Sequence, residues 1–274
     1  MAATHLTVIL STYNQADWLH KVIAGYTAQS FRDFELIIAD DGSGEETRKL
    51  IENMQHTSDL EIHHIWQEDA GFRKTQILNI AIKQARHDYL VFSDGDCIPR
   101  NDFLAQHVAF SENGYYLSGG YCKLPMNISK KIDTQDIVEQ RAFDPVWLAR
   151  NGARSVCFSL KLNVGGRFSK ILNRLSRTKT TWNGHNSSGW RSDILEVNGF
   201  DERMGYGGED WEMGLRLKNL GIKAKRIRYS AICVHLDHAR SYETKESHKL
   251  NESIGCTTIA SGSTWTKYGI KRSV

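Results

Sequence analysis

The two carboxylates of Asp94-Gly95-Asp96 are the residues of this sequence with the most definite chemistry. They follow the apolar run 89–93, which has the length and composition of a buried strand. Hard cations such as Mg²⁺ and Mn²⁺ prefer carboxylate oxygen, and a diphosphate can complete their coordination. An Asp-Gly turn with two solvated carboxylates has the same sequence. The tripeptide alone therefore predicts either a metal site or a turn.

A second pair of carboxylates, Glu209 and Asp210, follows the glycine-rich segment 205–208. Glycine allows the backbone to approach a ligand closely, and a carboxylate beside it could take a proton as a general base. A helical pattern follows as far as Leu220, and the helix dipole favours acidic residues in a first turn. A general base and an acidic helix start are both consistent with this segment.

Predicted strands and helices alternate through the first hundred residues, which indicates βαβ units and a parallel sheet. In such sheets the ligand lies beyond the carboxyl ends of the strands. A polar cluster follows each of the four predicted strands. We therefore expect these clusters to meet in one crevice, which favours the metal site over the turn. The strands are 6–10, 34–39, 61–66 and 89–93, and the clusters are 12–14, 40–43, 71–73 and 94–96.

The pattern changes after residue 96. Residues 101–111 and 133–148 are predicted to be helices, and residues 115–124 a single strand. A further strand candidate, residues 231–234, ends in His235. A histidine at the end of a strand can supply an imidazole ligand to Mn²⁺.

A basic segment separates the two halves of the chain. Residues 145–192 contain no Asp or Glu but nine Lys or Arg residues. Within it, apolar side chains recur at helical spacing between basic ones. Such a helix could lie on an anionic membrane, cover the active site or bind an acidic acceptor, or it could simply dock by its apolar stripe. The apolar residues are Phe168, Ile171, Leu172 and Leu175; their basic neighbours are Lys170, Arg174 and Arg177.

Composition and charge narrow the class of protein. The chain of 274 residues is long enough to bury a full core, and 40% hydrophobic and 24% charged residues are ordinary for a soluble globular protein. A net charge of +3 is too small to imply nucleic-acid binding. Neither GxGxxG nor GxxxxGK[ST] is present, so a glycine-rich phosphate cradle is not supported.

The five cysteines, at positions 97, 122, 157, 233 and 256, form no CxxC pair. This argues against a disulfide framework or a structural zinc site and favours a reducing compartment. The first residues lack the basic region of a signal peptide, and no stretch approaches the roughly 20 apolar residues of a membrane span. We expect a cytoplasmic protein, with peripheral contact at the inner face of the cell membrane left open.

Several segments together resemble a known family. VILSTYNQADWL, LIIADDGS and YLVFSDGDCIP are similar to the opening of inverting family 2 glycosyltransferases with a GT-A fold. QEDAGFR, with Asn79 on the following helix, resembles the branch that includes bacterial chondroitin polymerases. NGF at 198–200 followed by GGED at 207–210 resembles the C-terminal motif of β-1,4-galactosyltransferases. The resemblance implies an α/β GT-A fold, with a Rossmann-like, mostly parallel sheet between helices and a smaller acceptor-side region.

The resemblance also implies roles for individual residues. Asp41 would read the uracil of the donor, Asp94 would lie near the ribose, and Asp96 and His235 would bind Mn²⁺ or Mg²⁺, with His238 as the second choice for the histidine. Asp210 would be the catalytic base and Glu209 a hydroxyl contact, although these two neighbours could exchange roles. Further nucleotide-sugar contacts would be Thr12, Asn14, Arg73 and Gly95, and candidates for acceptor or donor contacts are Asn186, Trp190 and Trp211.

The expected function is a metal-dependent inverting transfer of sugar from a UDP-sugar to a glycan or lipid-linked glycan, with formation of a β-linkage in surface polysaccharide or lipopolysaccharide. The alternatives are a nucleotidyltransferase and a non-catalytic sugar-nucleotide-binding module. With three prolines and no linker, residues 1–274 are expected to form one catalytic domain. Its regions would be a nucleotide-sugar half (1–124), a helical basic insert (125–192) and an acceptor half with a C-terminal tail (193–274).

Overall fold

The computed structural model describes residues 2–153, 161–162, 164–239 and 243–271. Cys157, for which we expected no disulfide partner, lies outside the described residues, and the other four cysteines are free. None of the described helices is long and apolar enough to cross a membrane.

Ten strands are described, and seven of them form the central sheet in the order β3-β2-β1-β4-β8-β6-β9. The first four strands along the chain are mutually parallel, as the alternating pattern predicted, and β8 pairs antiparallel with both β4 and β6. The strands are β1 Leu6–Thr12, β2 Phe34–Asp40, β3 Ile62–Trp66, β4 Tyr89–Asp94, β5 Cys97–Pro99, β6 Tyr115–Ser118, β7 Gly120–Lys123, β8 Ser187–Trp190, β9 Lys223–Arg226 and β10 Ile232–His235.

Helices cover both faces of this sheet. The described α-helices are α1 Ala16–Thr27, α2 Glu45–Thr57, α3 Lys74–Gln84, α4 Phe103–Phe110, α5 Met126–Lys131, α6 Thr134–Val138, α7 Pro145–Arg150, α8 Gly166–Leu175, α9 Arg191–Glu196, α10 Glu209–Asn219 and α11 Lys245–Ser261. A 3₁₀ turn spans Arg141–Phe143.

The core is divided by the sheet into two apolar clusters. In β1, Leu6, Val8 and Leu10 belong to one cluster, whereas Ile9 belongs to the other. Successive side chains of a strand point to opposite faces, so a strand covered on both sides is apolar throughout. This explains why β1, β2 and β4 are mainly apolar. Their parallel pairing places their carboxyl ends at one edge of the sheet.

A small second sheet, in the order β5-β10-β7, lies beside this edge. Its strand β10 runs antiparallel to β5 and parallel to β7. The backbone N–H of Leu236 donates to the carbonyl oxygen of Asp96 at 2.9 Å. The second sheet thereby brings the end of β10 next to the Asp94–Asp96 turn.

The single strand predicted at 115–124 is wrong: β6 and β7 are separate strands in different sheets. The chain changes sheet at Gly119, where a β-carbon would lie 2.1 Å from Cγ of Asn186. Asn186 is fully buried, and its amide donates to the carbonyl oxygens of Gly120 and Ala231. Its side chain therefore joins the two sheets and leaves no space for a side chain at position 119.

Gly119→Ala is expected to destabilise the protein by about 1–3 kcal/mol, because the new methyl group would displace a buried, hydrogen-bonded amide. Gly165→Ala is the matched control, since a β-carbon at Gly165 meets no atom within 4 Å. Urea unfolding followed by circular dichroism measures both. Equal unfolding midpoints for the two variants would contradict this role of Asn186.

Two further predictions need correction. The helix predicted at 133–148 is interrupted, because Gln140 has a left-handed backbone and Pro145 begins a new helix capped by Asp144. The basic insert was drawn to residue 192, but Ser187–Trp190 is a central strand of the main sheet. The sequence there is short and polar, so strand periodicity does not reveal it.

Candidate active site

A cleft of approximately 720 Å³ opens at the carboxyl ends of the parallel strands. This volume is in the usual range for small-molecule sites. The cleft contains most of the residues to which the sequence assigned roles, drawn from three of the four strand-end clusters and from the second half of the chain; the remaining cluster, 71–73, lines it through Gly71 and Phe72. The residues with assigned roles are Thr12, Asn14, Asp41, Asp94, Gly95, Asp96, Glu209, Asp210 and His235.

Three side chains in the cleft are grouped as metal ligands would be. Nε2 of His238 lies 2.8 Å from Oδ2 of Asp96, and Nε2 of His235 lies 3.6 Å from the same oxygen. One ligand atom from each of the three residues lies within 4.8 Å of the others. One carboxylate and two imidazoles suit Mn²⁺. His238, the second choice from the sequence, thus lies as well placed as His235.

Asp94 lies near Asp96 but is bound by other protein groups. Its Oδ1 accepts hydrogen bonds from Nζ of Lys74 at 2.8 Å and from Oγ of Ser11 at 2.7 Å. Withdrawal from water alone would raise the pKa of Asp94, but Lys74 and Ser11 hold this pKa well below the usual range. Asp94 is therefore ionised and oriented by the protein itself, whereas Asp96 faces the two histidines.

Glu209 and Asp210 begin α10, directly after a left-handed Gly208. Oε2 of Glu209 accepts a hydrogen bond from the backbone N–H of Gly207 at 2.9 Å. Oδ2 of Asp210 accepts one from Gly184 at 2.8 Å, whereas its Oδ1 is buried and has no hydrogen-bond partner among the described residues. Each of these two neighbours thus keeps one carboxylate oxygen without a hydrogen bond from the described residues.

The pKa of Asp210 is raised to about 7 by withdrawal from water and by the negative charge of Glu209. The ammonium of Lys74 acts in the opposite direction. A carboxylate whose pKa lies near neutral pH is matched to proton transfer under those conditions. The raised pKa favours Asp210 as the candidate base.

The rate of a reaction in which Asp210 is the base is expected to increase as pH rises through about 7 and then to level off, because the base must be ionised. Lys74→Met should move this rise to higher pH, since the Lys74 charge lowers the pKa of Asp210. The pH profile of kcat/KM at saturating Mn²⁺ measures the effect. Lys83→Met, an exposed change on the same helix, is the control. An unchanged or downward midpoint in Lys74→Met would contradict this role of Lys74.

Lys74 and His185 are among the cleft residues that were not predicted. Lys74 immediately follows the third strand-end cluster, and His185 lies in the loop before β8. Withdrawal from water lowers the pKa of His185 to about 4, so its imidazole is neutral at pH 7. Position beside a strand-end cluster was a signal for Lys74, whereas His185 enters only through the antiparallel return of β8.

The side of the cleft for which nucleotide contacts were predicted is built around Asp41. Its Oδ1 accepts a hydrogen bond from Nε2 of Gln67 at 2.5 Å, and its Oδ2 accepts one from the backbone N–H of Arg73 at 2.8 Å. Thr12 lies beside it with a buried, unpartnered Oγ1, and Asn14 caps the turn by accepting from the N–H of Gly44 at 2.8 Å. These contacts hold Asp41 and its neighbours in fixed orientations.

Arg73 contributes to this arrangement differently from the prediction. Its guanidinium donates to the carbonyl oxygen of Glu68, and its side chain is not among those that line the cleft. Its backbone, through the bond to Asp41, is the part that contacts the site.

The structure places the three predicted acceptor or donor contacts outside the cleft. Asn186 is buried between the two sheets, as described above. Trp190 pairs with Tyr89 at the start of β4, the end opposite Asp94, and its Nε1 donates to the carbonyl oxygen of Glu112. Trp211 packs against Gly255 of α11. Asn186 and Trp190 therefore support the fold, whereas Trp211, half-buried beside Asp210, does not line the cleft, and its role as an acceptor contact stays a prediction.

The NGF segment, which contributed to the resemblance, is held by Asn79. Its Nδ2 donates to the carbonyl oxygen of Phe200 at 2.9 Å, and its Oδ1 accepts from the N–H of Phe200 at 2.8 Å. Asn79 therefore joins α3 to the segment that precedes the GGED motif.

Comparisons with known proteins agree with this geometry. A model described as "Glycosyl transferase family 2" matches residues 7–136, and one described as "N-terminal domain of galactosyltransferase" matches residues 172–239. An uncharacterized glycosyltransferase of Bacillus subtilis, YfnE, is 26% identical over 91% of this chain and 69% of its own length. Hyaluronan synthase of Pasteurella multocida is 26% identical over 90% of this chain, which spans only 25% of that enzyme.

The solved structure of GalNAc-T7 with UDP, GalNAc and Mn²⁺ has a TM-score of 0.60 and 14% identity, and the match covers 91% of this chain and 47% of that one. At this identity the likeness establishes the fold alone. The family match, the relatives named as glycosyltransferases and the fold together identify a glycosyltransferase with the GT-A fold. The chain is similar to glycosyltransferase family 2 over residues 7–136, and residues 172–239 are similar to a galactosyltransferase domain.

Proposed function

We propose that this protein transfers a sugar from a UDP-sugar to a hydroxyl group of a glycan or lipid-linked glycan, with inversion and with the help of Mn²⁺ or Mg²⁺. The product is a β-glycosidic bond, and the role we infer is in surface polysaccharide or lipopolysaccharide synthesis. One observation carries the proposal: the unpartnered Oδ1 of Asp210 shares a cleft with the Asp96, His235 and His238 group.

These two features fit the two requirements of a single displacement. The acceptor hydroxyl must lose a proton, and the diphosphate must leave with its charge neutralised. Oδ1 of Asp210 takes the proton while the Gly184 N–H holds the other carboxylate oxygen. A cation held by Asp96, His235 and His238 would neutralise the leaving diphosphate.

Gly184 allows this close contact because it has no side chain. A β-carbon there would lie 2.7 Å from Oδ2 of Asp210 and 3.0 Å from Nζ of Lys74. The carboxylate and the ammonium therefore both approach the same point of the backbone. Lys74 in turn orients Asp94, which we assign to the ribose side of the donor.

The uracil is assigned to Asp41. Each oxygen of this carboxylate accepts one hydrogen bond from the protein, so each retains capacity for another. A uracil imide N–H is a donor that fits such an acceptor. Withdrawal from water raises the pKa of Asp41, which shows that its carboxylate is incompletely hydrated. A neutral N–H donor therefore does not have to displace a full solvation shell to bind it.

Incubation with Mn²⁺, separate UDP-sugars and glycan acceptors tests the proposal. We expect UDP release that requires the metal and, by NMR, a β-linked product from an α-linked donor. An α-linked product would contradict inversion. Tight UDP binding without turnover of any donor would indicate a binding module, and release of inorganic pyrophosphate from UTP would indicate a nucleotidyltransferase.

A further inference from the structure

Helix α8 is attached to the domain by its polar side. Its two buried residues are Ser169 and Asn173. Oγ of Ser169 lies 3.0 Å from Oγ of Ser230, and Nδ2 of Asn173 donates to the same hydroxyl at 2.9 Å. The backbone N–H of Tyr229 donates to Oδ1 of Asn173 at 2.9 Å. Hydrogen bonds to the loop between β9 and β10 thus hold this helix.

The apolar side of α8 faces outward. Phe168 is 73% exposed, Leu175 is 70% exposed and Ile171 is 50% exposed. At 3.6 residues per turn these residues form one stripe along the helix. In an amphipathic helix on the surface of a globular protein, such a stripe faces the core. In α8 the arrangement is reversed, because the polar side meets the protein and the apolar stripe faces outward. Docking of the stripe against the protein therefore does not explain the stripe.

The surface around the stripe is basic. Arg167, Lys170 and Arg174 are exposed, and none of them forms an ion pair with another described residue. The edge strand β9 continues this surface, because Nε of its Arg226 donates to the carbonyl oxygen of Thr178, just beyond α8. Two segments distant in sequence therefore contribute positive charge to one face.

This face does not belong to the active site. No residue of α8 lines the cleft. The contact residue Ser230 precedes β10, whereas His235 ends it, so at about 3.3 Å per residue the two are about 16 Å apart. The apolar stripe therefore serves something other than closure over the donor.

We propose that α8 and the adjoining strand β9 form a surface that binds an anionic lipid bilayer, with the apolar stripe inserted among the acyl chains and the basic residues at the headgroups. A helix in a membrane interface has these two features side by side. An acidic glycan would also attract the basic residues, but it would leave the three exposed apolar side chains without an apolar partner. This surface is independent of the chemistry proposed for the cleft.

Flotation of the full chain with phosphatidylcholine vesicles, with and without phosphatidylglycerol, tests the proposal in the absence of substrate. We expect binding only with the anionic lipid and a loss of binding as KCl is raised. Arg167→Gln with Arg174→Gln should weaken binding about tenfold or more. Phe168→Ser with Leu175→Ser should also weaken it about tenfold or more, since each change removes an inserted side chain.

A third double variant, Ile171→Ser with Arg174→Glu, changes one exposed apolar and one exposed basic residue on α8. Its matched control, Ile80→Ser with Lys83→Glu, makes the same two kinds of change on α3. Only the α8 pair should lose vesicle binding, while both pairs keep their circular dichroism spectra. Equal flotation of all variants would overturn the proposal. Binding of the parent chain to heparin but not to anionic vesicles would also overturn it, and would assign the surface to an acidic glycan.

Discussion

Asp210→Asn is expected to lower kcat for sugar transfer by at least about a hundredfold, because positioned proton transfer contributes roughly 10²–10⁴-fold. The asparagine amide keeps the size of the side chain but cannot take the proton of the acceptor hydroxyl. The affinity for UDP with Mn²⁺, measured by calorimetry, should remain nearly unchanged, because Asp210 lies outside the Asp96 group. A large loss of UDP affinity would contradict the assignment of the base.

Glu209→Gln is the matched control for this variant. It removes a neighbouring charge but leaves Oδ1 of Asp210 available. We expect a smaller loss of kcat and a rise of kcat/KM that begins at lower pH, since the Glu209 charge raises the pKa of Asp210. If Glu209→Gln were inactive and Asp210→Asn retained activity, the two roles would have to be exchanged.

Asp210→Asn also has a predicted effect on stability. The pKa of Asp210 in the folded protein, about 7, lies above the ordinary value of 3.8, so folding disfavours its ionised form. This cost to the free energy of folding is absent at pH values below the ordinary pKa, grows as pH rises and is complete above about pH 7. At about 1.4 kcal/mol per pKa unit, a shift of this size corresponds to a few kcal/mol. Asp210→Asn should therefore raise the thermal midpoint of the metal-free protein, most strongly at alkaline pH.

Asp96→Asn is the second variant with a large expected effect. The carboxylate is the only charged ligand in the group with His235 and His238, so its loss should weaken Mn²⁺-dependent UDP binding by about tenfold or more. Calorimetric titration of UDP with and without Mn²⁺ measures the change. Equal affinity in both conditions for the parent chain and the variant would count against a metal at this position.

Asp237→Asn is the control for the loss of one carboxylate charge in Asp96→Asn. Asp237 lies between the two histidines in sequence, but its carboxylate pairs with Nζ of Lys123 at 3.0 Å and is not in the group. It should keep the metal dependence of UDP binding. His238→Ala should behave like Asp96→Asn, whereas a variant without effect would leave His235 as the remaining imidazole ligand.

The arrangement of the first strands could be predicted from the sequence because each of them is a local pattern. A predicted strand followed by polar residues and a helix repeats four times, and the carboxyl ends of parallel strands share one edge. Thr12, Asp41, Asp94 and Asp96 therefore lie in one cleft as expected. Glu209, Asp210 and His235 were placed there through the resemblance, and the structure brings them to the same cleft.

Other features depend on contacts between distant segments, which no local pattern encodes. The polar strand β8 inserts between β4 and β6, and with it come His185, the buried Asn186 and the amide of Gly184. The same insertion explains why Asn186 and Trp190 support the fold instead of contacting a ligand. Lys74 gained its role only when α3 placed its ammonium beside Asp94.

The sequence by itself determined the resemblance to glycosyltransferases, the strand edge that carries the cleft and the residue types available there, because these follow from local periodicity and from motifs. Only the tertiary structure decided that His238 joins Asp96, that Asp210 keeps a free oxygen, and that α8 turns its apolar stripe outward. Helical spacing shows that a stripe exists, but the partner of each face is set by packing. In α8 two buried hydrogen-bonding residues, Ser169 and Asn173, determine which side meets the protein.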